Sequence, residues 1–292
     1  MRSGILQASL AYVIWGLFPL YFRLLHGVAA LEVLAHRVVW SLLFLLGVLS
    51  ARRQWDWLGP ALRNRRVLWL FAASSALIGT NWYVYIWAVS HDRVVDASLG
   101  YFITPLVNVL TGWLVLKERL RPAQWGAVAT ATAGVAWLTW AQGTPPWIAL
   151  ILAASFSSYG LLRKTATLGA LEGLTLETLL LGPLALAGLG WAVAHGQSVF
   201  PDAPHGLQGL LMVAGPLTAV PLLLFAGGAR RIPLSLLGML QYIGPTIQLA
   251  LGVWLFHEPF AGARAQGFVI IWAACALFSA ELWWSSRQSA TM

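Results

Sequence analysis

The sequence predicts an all-α integral membrane protein, with ten transmembrane helices arranged as two five-helix repeats of opposite orientation. Three observations lead there. Of 292 residues, 59% are hydrophobic and only 10% charged, with a mean hydropathy of +0.73; a soluble domain carries about 25% charged residues. The apolar residues fall into ten runs with short connections. Landmarks of the first half return in the second at a spacing of 140 residues.

A bilayer core takes about 20 mostly apolar residues per helix. The first run, 4–24, follows a basic start and is too long for a leader with a clean cleavage site, so it reads as a membrane helix. The second, 32–50, carries His36 and Arg37 in "LAHRVVWS", and the third, 67–89, contains "GTNWYVYIWAV". The fourth, 95–116, holds Pro105; Asp92 and Asp96 at its start are suited to cap it or to favour its positive dipole end. Runs 124–142 and 146–163 follow, then 174–194 with Glu177 and Pro183, and 207–228 with Pro216 and Pro221. The ninth, 235–256, holds Pro245, and the tenth, 265–285, holds Cys275. Helix breakers survive in a membrane where neighbours or water satisfy the freed backbone groups. A single cysteine excludes an intrachain disulfide and a cysteine-based metal site; no metal or other cofactor is expected.

Loop charge fixes the expected orientation. With the N-terminus inside, cytoplasmic segments collect 14 of the 18 Lys and Arg residues, outer segments only Arg23, Arg93 and Arg264, and Arg37 is left within a span. Both termini are therefore expected in the cytoplasm of a cell with the protein in its inner (plasma) membrane. Tryptophans near run ends, such as Trp55, Trp69, Trp147 and Trp284, suit the aromatic belt against membrane lipid.

Shifting the chain by 140 residues brings Ile103, Pro105, Gly112 and Glu118 onto Ile243, Pro245, Gly252 and Glu258. Residues 1–143 and 144–292 thus read as two repeats, and an odd number of spans per repeat inverts the second, as in secondary transporters with a midplane site. Each repeat carries a polar stripe at helical spacing: Tyr101, Pro105 and Asn108, then Gln241, Pro245 and Gln248. Each proline frees the carbonyl four residues earlier, and an unpaired carbonyl in hydrocarbon costs on the order of 2–7 kcal/mol. The stripes therefore face protein, water or substrate. Asn108 and Gln248 serve either as interhelical hydrogen-bond glue or as lining of a central path.

Intramembrane ionisable residues mark candidate sites. Arg37 is suited to hold an anionic group bidentately, or to cap carbonyls. His36, sharing a face with Trp40, is suited to titrate, and Glu177 is a second candidate for coupling to protons. Asn81 and Tyr85 share a face in the third run, Trp15 lies beside Gly16 and Pro19 at a kink or close-contact position, and Gln241-Tyr242 precedes Pro245. The expected path is lined by His36, Arg37, Trp40, Trp15, Asn81, Tyr85, Tyr101, Asn108, Gln241, Tyr242 and Gln248, with Pro105 and Pro245 bending the gating helices. Enzyme motifs are missing from the sequence: no Walker segment, no dinucleotide fingerprint and no H-E-x-x-H. The net charge of +8 is spread over short clusters rather than a stripe, which argues against nucleic acid.

The stretches "AYVIWGLFPLYF", "EVLAHRVVWS", "IGTNWYVYIWAV", "ASLGYFITPLVNVLTG", "LKERL" and "LLGMLQYIGPTIQL" resemble the drug/metabolite transporter superfamily, its EamA-type branch, and within it the RarD family. The resemblance implies a ten-helix carrier with both ends cytoplasmic and a cavity between its halves. It implies a small-molecule substrate of unassigned identity and transfers no binding residues. The expected function is an inner-membrane secondary transporter, an exporter of a small organic metabolite or drug, as monomer or homodimer. The alternative is a non-transporting membrane sensor or assembly subunit.

Overall fold

The computed structural model describes residues 2–117, 119–229, 231–232 and 234–290. Glu118 and Arg230, used above for the repeat and the charge count, lie outside the described residues. Among the described residues every regular element is helical. The elements are α1 (Arg2–Gly16), α2 (Phe18–Arg23), α3 (Ala30–Arg52), α4 (Leu58–Arg63), α5 (Arg65–Ser90), α6 (Val94–Leu116) and α7 (Pro122–Gln142). They continue as α8 (Trp147–Thr165), α9 (Ala170–Ala194), α10 (His205–Ala229), α11 (Leu234–Leu240), α12 (Ile243–Ala250) with a π-helical turn (Leu251–Leu255), and α13 (Gly262–Ala290).

Each apolar run coincides with one helix or with a broken pair. Seven helical segments among the described residues are long and apolar enough to cross a membrane. The other three candidates are α7 and α8, whose Ala, Ser, Thr and Gly content lowers their hydropathy, and the interrupted ninth run. The surface of the bundle is apolar: Leu6, Leu24, Leu114, Leu184 and Trp254 are more than half exposed. Such a surface requires lipid as its solvent, and the chain is an all-α integral membrane protein.

Helix starts and stops follow local chemistry. Asn64 caps α5, its side chain accepting from the N–H groups of Arg66 and Val67 at 3.0 and 3.3 Å. Pro122 opens α7 and Gly143, at φ 71°, closes it. The cap expected of Asp92 or Asp96 on α6 comes from elsewhere. Glu258, beyond the π turn, takes the N–H groups of Val94 and Val95 at 2.6 and 2.9 Å. Asp92 instead pairs with Arg23, and Asp96 with Arg93 and Arg264 at 2.7 and 2.5 Å.

These contacts gather one end of the bundle, here called distal, away from Arg2. Glu32 joins it by accepting from Ser198 Oγ (2.6 Å) and Val199 N (3.0 Å) in the α9–α10 connection. At the proximal end Arg121 pairs with Glu281 at 2.8 Å, tying the start of α7 to α13. The main packing pairs are α7 with α13, α6 with α8, α1 with α12, α1 with α10, α5 with α8, α3 with α10, α5 with α9, α3 with α9, and α6 with α12. Close approaches need glycine. A Cβ on Gly215 would collide with the Trp40 carbonyl where α10 crosses α3, and one on Gly16 would lie 2.8 Å from Ile247 Cβ.

Candidate substrate site

Arg37 sits about two turns into α3 and is 4% exposed. Its Nε donates to Thr218 Oγ1 on α10 at 2.9 Å. The guanidinium lies 4.3 Å from the Trp82 ring centroid, 5.5 Å from that of Phe18 and 5.7 Å from that of Phe22. Among the described residues no carboxylate comes within 4 Å of it. The aromatic faces supply roughly 2 kcal/mol of cation–π attraction in a desolvated site. That is well short of the several kcal/mol that burial of one ion costs. Among the described residues no acceptor bonds the Nη groups, which are left for another partner.

Phenols surround the cation. Phe22, which faces the guanidinium, packs on the Tyr21 and Tyr85 rings, and Tyr85 packs on Tyr101. Tyr21 donates to the Leu210 carbonyl at 2.8 Å and Tyr101 to Asn81 Oδ1 at 3.3 Å. Among the described residues the Tyr85 hydroxyl, fully buried, has no hydrogen-bond partner, and its ring packs on Phe22 and Tyr101 at 5.9 and 5.8 Å. Asn81 is saturated: its Nδ2 donates to the Leu152 carbonyl (3.1 Å) and Ser155 Oγ (3.0 Å) on α8.

His36 and Trp40 do not join Arg37. Being about 100° (His36) and about 60° (Trp40) away around the helix, they form a separate distal group: Trp40 Nε1 donates to His36 Nδ1 at 3.3 Å, His36 Nε2 is 4.0 Å from Glu32, and the His36 ring lies tilted against Phe200 at 4.5 Å. Trp15 on α1, Gln248 on α12 and Tyr242 in the turn before α12 make other contacts. Gln248 Nε2 donates to the Trp15 carbonyl at 3.1 Å, Trp15 packs on Tyr12 and Phe225, and Tyr242 stacks on Phe102 at 6.2 Å. Gln241 is half-buried in the turn that separates α11 from α12, and Pro245 is buried in α12. Pro105 is buried in an uninterrupted α6, while Asn108 is exposed on it.

Glu177, fully buried in α9, is partnered on three sides. Ser74 and Tyr159 donate to it at 2.7 and 3.3 Å, and Arg163 Nη1 lies 3.9 Å away. It stands 140 residues after Arg37. Where α3 crosses α9, Leu42 meets Gly182, also 140 apart. Arg37 is five residues distal of that crossing and Glu177 five residues proximal, about 7.5 Å along each helix. Two cavities, of about 270 and 530 Å³, open at the proximal end, one beside Arg52, Leu171 and Gly227, the other beside Trp113, Lys117 and Trp125. Among the described residues no group of three or more His, Cys, Asp or Glu side chains is placed to hold a metal.

Sequence reasoning missed Phe18, Phe22 and Thr218 around Arg37, and Glu32 and Glu258 as distal ties. The Phe18/Phe22 pair at i, i+4 carries a readable signal, since such residues share a face. Thr218 carries none.

The geometry is that of a lipid-facing helical bundle with a buried arginine between its helices, and the comparisons give its class, a membrane transporter. Residues 2–140 match the EamA-like transporter family. The chain is 46% identical to Protein RarD of Streptomyces exfoliatus over 99% of its own length and 91% of the relative's. It is 47% identical to the uncharacterized transporter YojE of Bacillus subtilis (95% and 94%) and 42% identical to Protein RarD of Escherichia coli (99% and 97%). A solved crystal structure, described only as that of a protein, shares the fold with a TM-score of 0.61 at 20% identity, covering 95% of this chain and 96% of the other. The chain belongs to the RarD family of EamA-type transporters, within the drug/metabolite superfamily.

Proposed function

We propose that the protein is a secondary carrier of the inner membrane that exports a small organic metabolite or drug by alternating access between two inverted halves, residues 1–143 and 144–292. The proximal end is then cytoplasmic, with both termini. The observation that carries the reading is Arg37, buried among aromatic rings from α2 and α5 and bonded to Thr218 of the other half, with no carboxylate beside it. A purely structural cation in such a place would be a net cost.

The packing supports the two-fold reading. Numbering the spans one to ten and exchanging each with the span five later converts α6–α8 into α12–α1, α1–α10 into α8–α5, and α3–α10 into α9–α5. The pairs α7–α13, α3–α9 and α6–α12 map onto themselves. Two halves that pack equivalently have two equivalent ways to lean, which is what alternating access needs. In this reading the distal ties of Glu258, Asp96 and Glu32 hold the outer side shut, and Glu177 is the group through which protons drive transport.

Cysteine accessibility tests the reading against a non-transporting sensor. On a Cys275→Ala background, single cysteines at Tyr101, Asn108, Gln241 and Gln248 are labelled with impermeant reagents from either side of the membrane. A carrier gives labelling from both sides that shifts between them with added solute. A sensor without a through-path gives labelling from one side or neither.

A further inference from the structure

The cage around Arg37 holds two unused donors. One is the pair of Nη groups of the guanidinium. The other is the Tyr85 hydroxyl, 3% exposed by residue and without a hydrogen-bond partner among the described residues. The remaining polar groups of the cage are spoken for, since Tyr101 bonds Asn81, Tyr21 bonds Leu210 and Thr218 takes the Arg37 Nε. The walls are Phe18, Phe22 and Trp82. Three N–H or O–H donors and a single positive charge, enclosed by rings, match one monoanion with two or more acceptor oxygens on an apolar body. A planar carboxylate meets the guanidinium fork with two parallel bonds. A dianion would bring a second charge that no other cation among the residues of this cage neutralises.

We propose that the Arg37–Tyr85 cage is the recognition site for a small organic monocarboxylate, its two oxygens on the Arg37 Nη groups and one of them also accepting from the Tyr85 hydroxyl. Trp82 and Phe22 cover the apolar remainder and set the preference for acids over their neutral isosteres. The inference rests on the carrier reading for why a ligand is there, but its test measures binding alone, so its failure leaves alternating access standing.

The test is equilibrium binding to the purified full-length protein in detergent, followed by ligand-induced thermal stabilisation. Benzoate and hexanoate are the probes, with benzamide and hexanamide as neutral isosteres. Wild type is expected to bind at least one acid saturably and the matching amide at least tenfold more weakly. Arg37→Gln abolishes acid binding. Tyr85→Phe weakens it by about tenfold, the loss of one hydrogen bond to a charged group. Without ligand, Tyr85→Phe is expected to melt at or above the wild-type temperature, because it removes a buried hydroxyl that has no partner. A purely structural tyrosine would give the reverse. Saturable binding of neither acid up to 10 mM, equal binding of acid and amide, or acid binding that survives Arg37→Gln overturns the proposal.

Discussion

At the scale of the residue, burial of one charge organises the site. Arg37 lies in low-dielectric surroundings with a hydroxyl and three aromatic faces for company. Arg37→Ala is expected to abolish uptake or efflux of the substrate while membrane yield stays at the wild-type level. Arg37→Lys should recover only a small part, because an ammonium offers no planar fork. Parallel transport and quantitative immunoblot assays check both. The importance of Arg37 is legible in the sequence, since an arginine inside an apolar run demands a partner. Its surroundings are not. The sequence places His36, Arg37 and Trp40 together, yet neighbouring residues on a helix point about 100° apart, and the cage is built by Phe18, Phe22, Trp82 and Thr218 from other helices. Asn81 illustrates the same limit: its polarity is visible, but saturation by Leu152, Ser155 and Tyr101 depends on which helix lies opposite.

At the scale of the element, glycine contacts and the distal ties decide how helices sit. Gly215 lets α10 reach the Trp40 carbonyl, and Thr218 stands three residues further on the same side of the helix. Gly215→Ala is expected to destabilise the protein by about 1–3 kcal/mol through overpacking, read as a lower melting temperature, and to weaken substrate binding by displacing Thr218. Helix breaks are only partly legible. The two prolines look alike in sequence, but α6 runs unbroken through Pro105, packed along α8 and α12, whereas the ninth run turns at Gln241-Tyr242. Glu258 gives a pH prediction. It lies in the distal connection, where burial pushes its carboxyl above the ordinary glutamate range, with Asp96 adding to this and Val95 N–H, Val94 N–H and Arg264 opposing. In the proposed carrier the closed distal end therefore holds this proton more tightly than an open, hydrated end. Closure is favoured fully below the ordinary glutamate value and loses that advantage as pH rises through the raised one. A cysteine at Ser98, buried just below the cap, should be labelled more slowly as pH falls from about 7 to about 5. Glu258→Gln should remove the part of that dependence beyond the reagent's own.

At the scale of the molecule, the proposed two-half reading is supported by which helices pack together and by the placement of Arg37 and Glu177. The lipid-facing apolar surface and the run of helices were readable from composition and periodicity alone. The 140-residue spacing was readable from Pro105/Pro245 and Glu118/Glu258, but the correspondence of Arg37 with Glu177 emerges only around the Leu42–Gly182 crossing, because opposite charges share no sequence identity. In the proposed carrier, a cation on one side of that crossing and a carboxylate on the other would give each conformation its own exposed group. Glu177→Gln is expected to leave binding at Arg37 within about threefold of wild type, since the two groups do not touch, while a pH gradient across proteoliposomes ceases to drive transport. Loss of binding together with loss of drive would make Glu177 a structural tie of α5, α8 and α9.

The central claim, that the halves rock against each other, is tested most directly by distances between spin labels at both ends of one molecule. On the Cys275→Ala background, His91 and Gln197 report the distal end and Gln54 and Thr167 the proximal end, all four being exposed. Pulsed dipolar spectroscopy in lipid should find two distances for each pair, with the longer distal distance growing in population as the longer proximal one declines. A single unchanging distance at both ends, or ends that open and close together, would contradict the account.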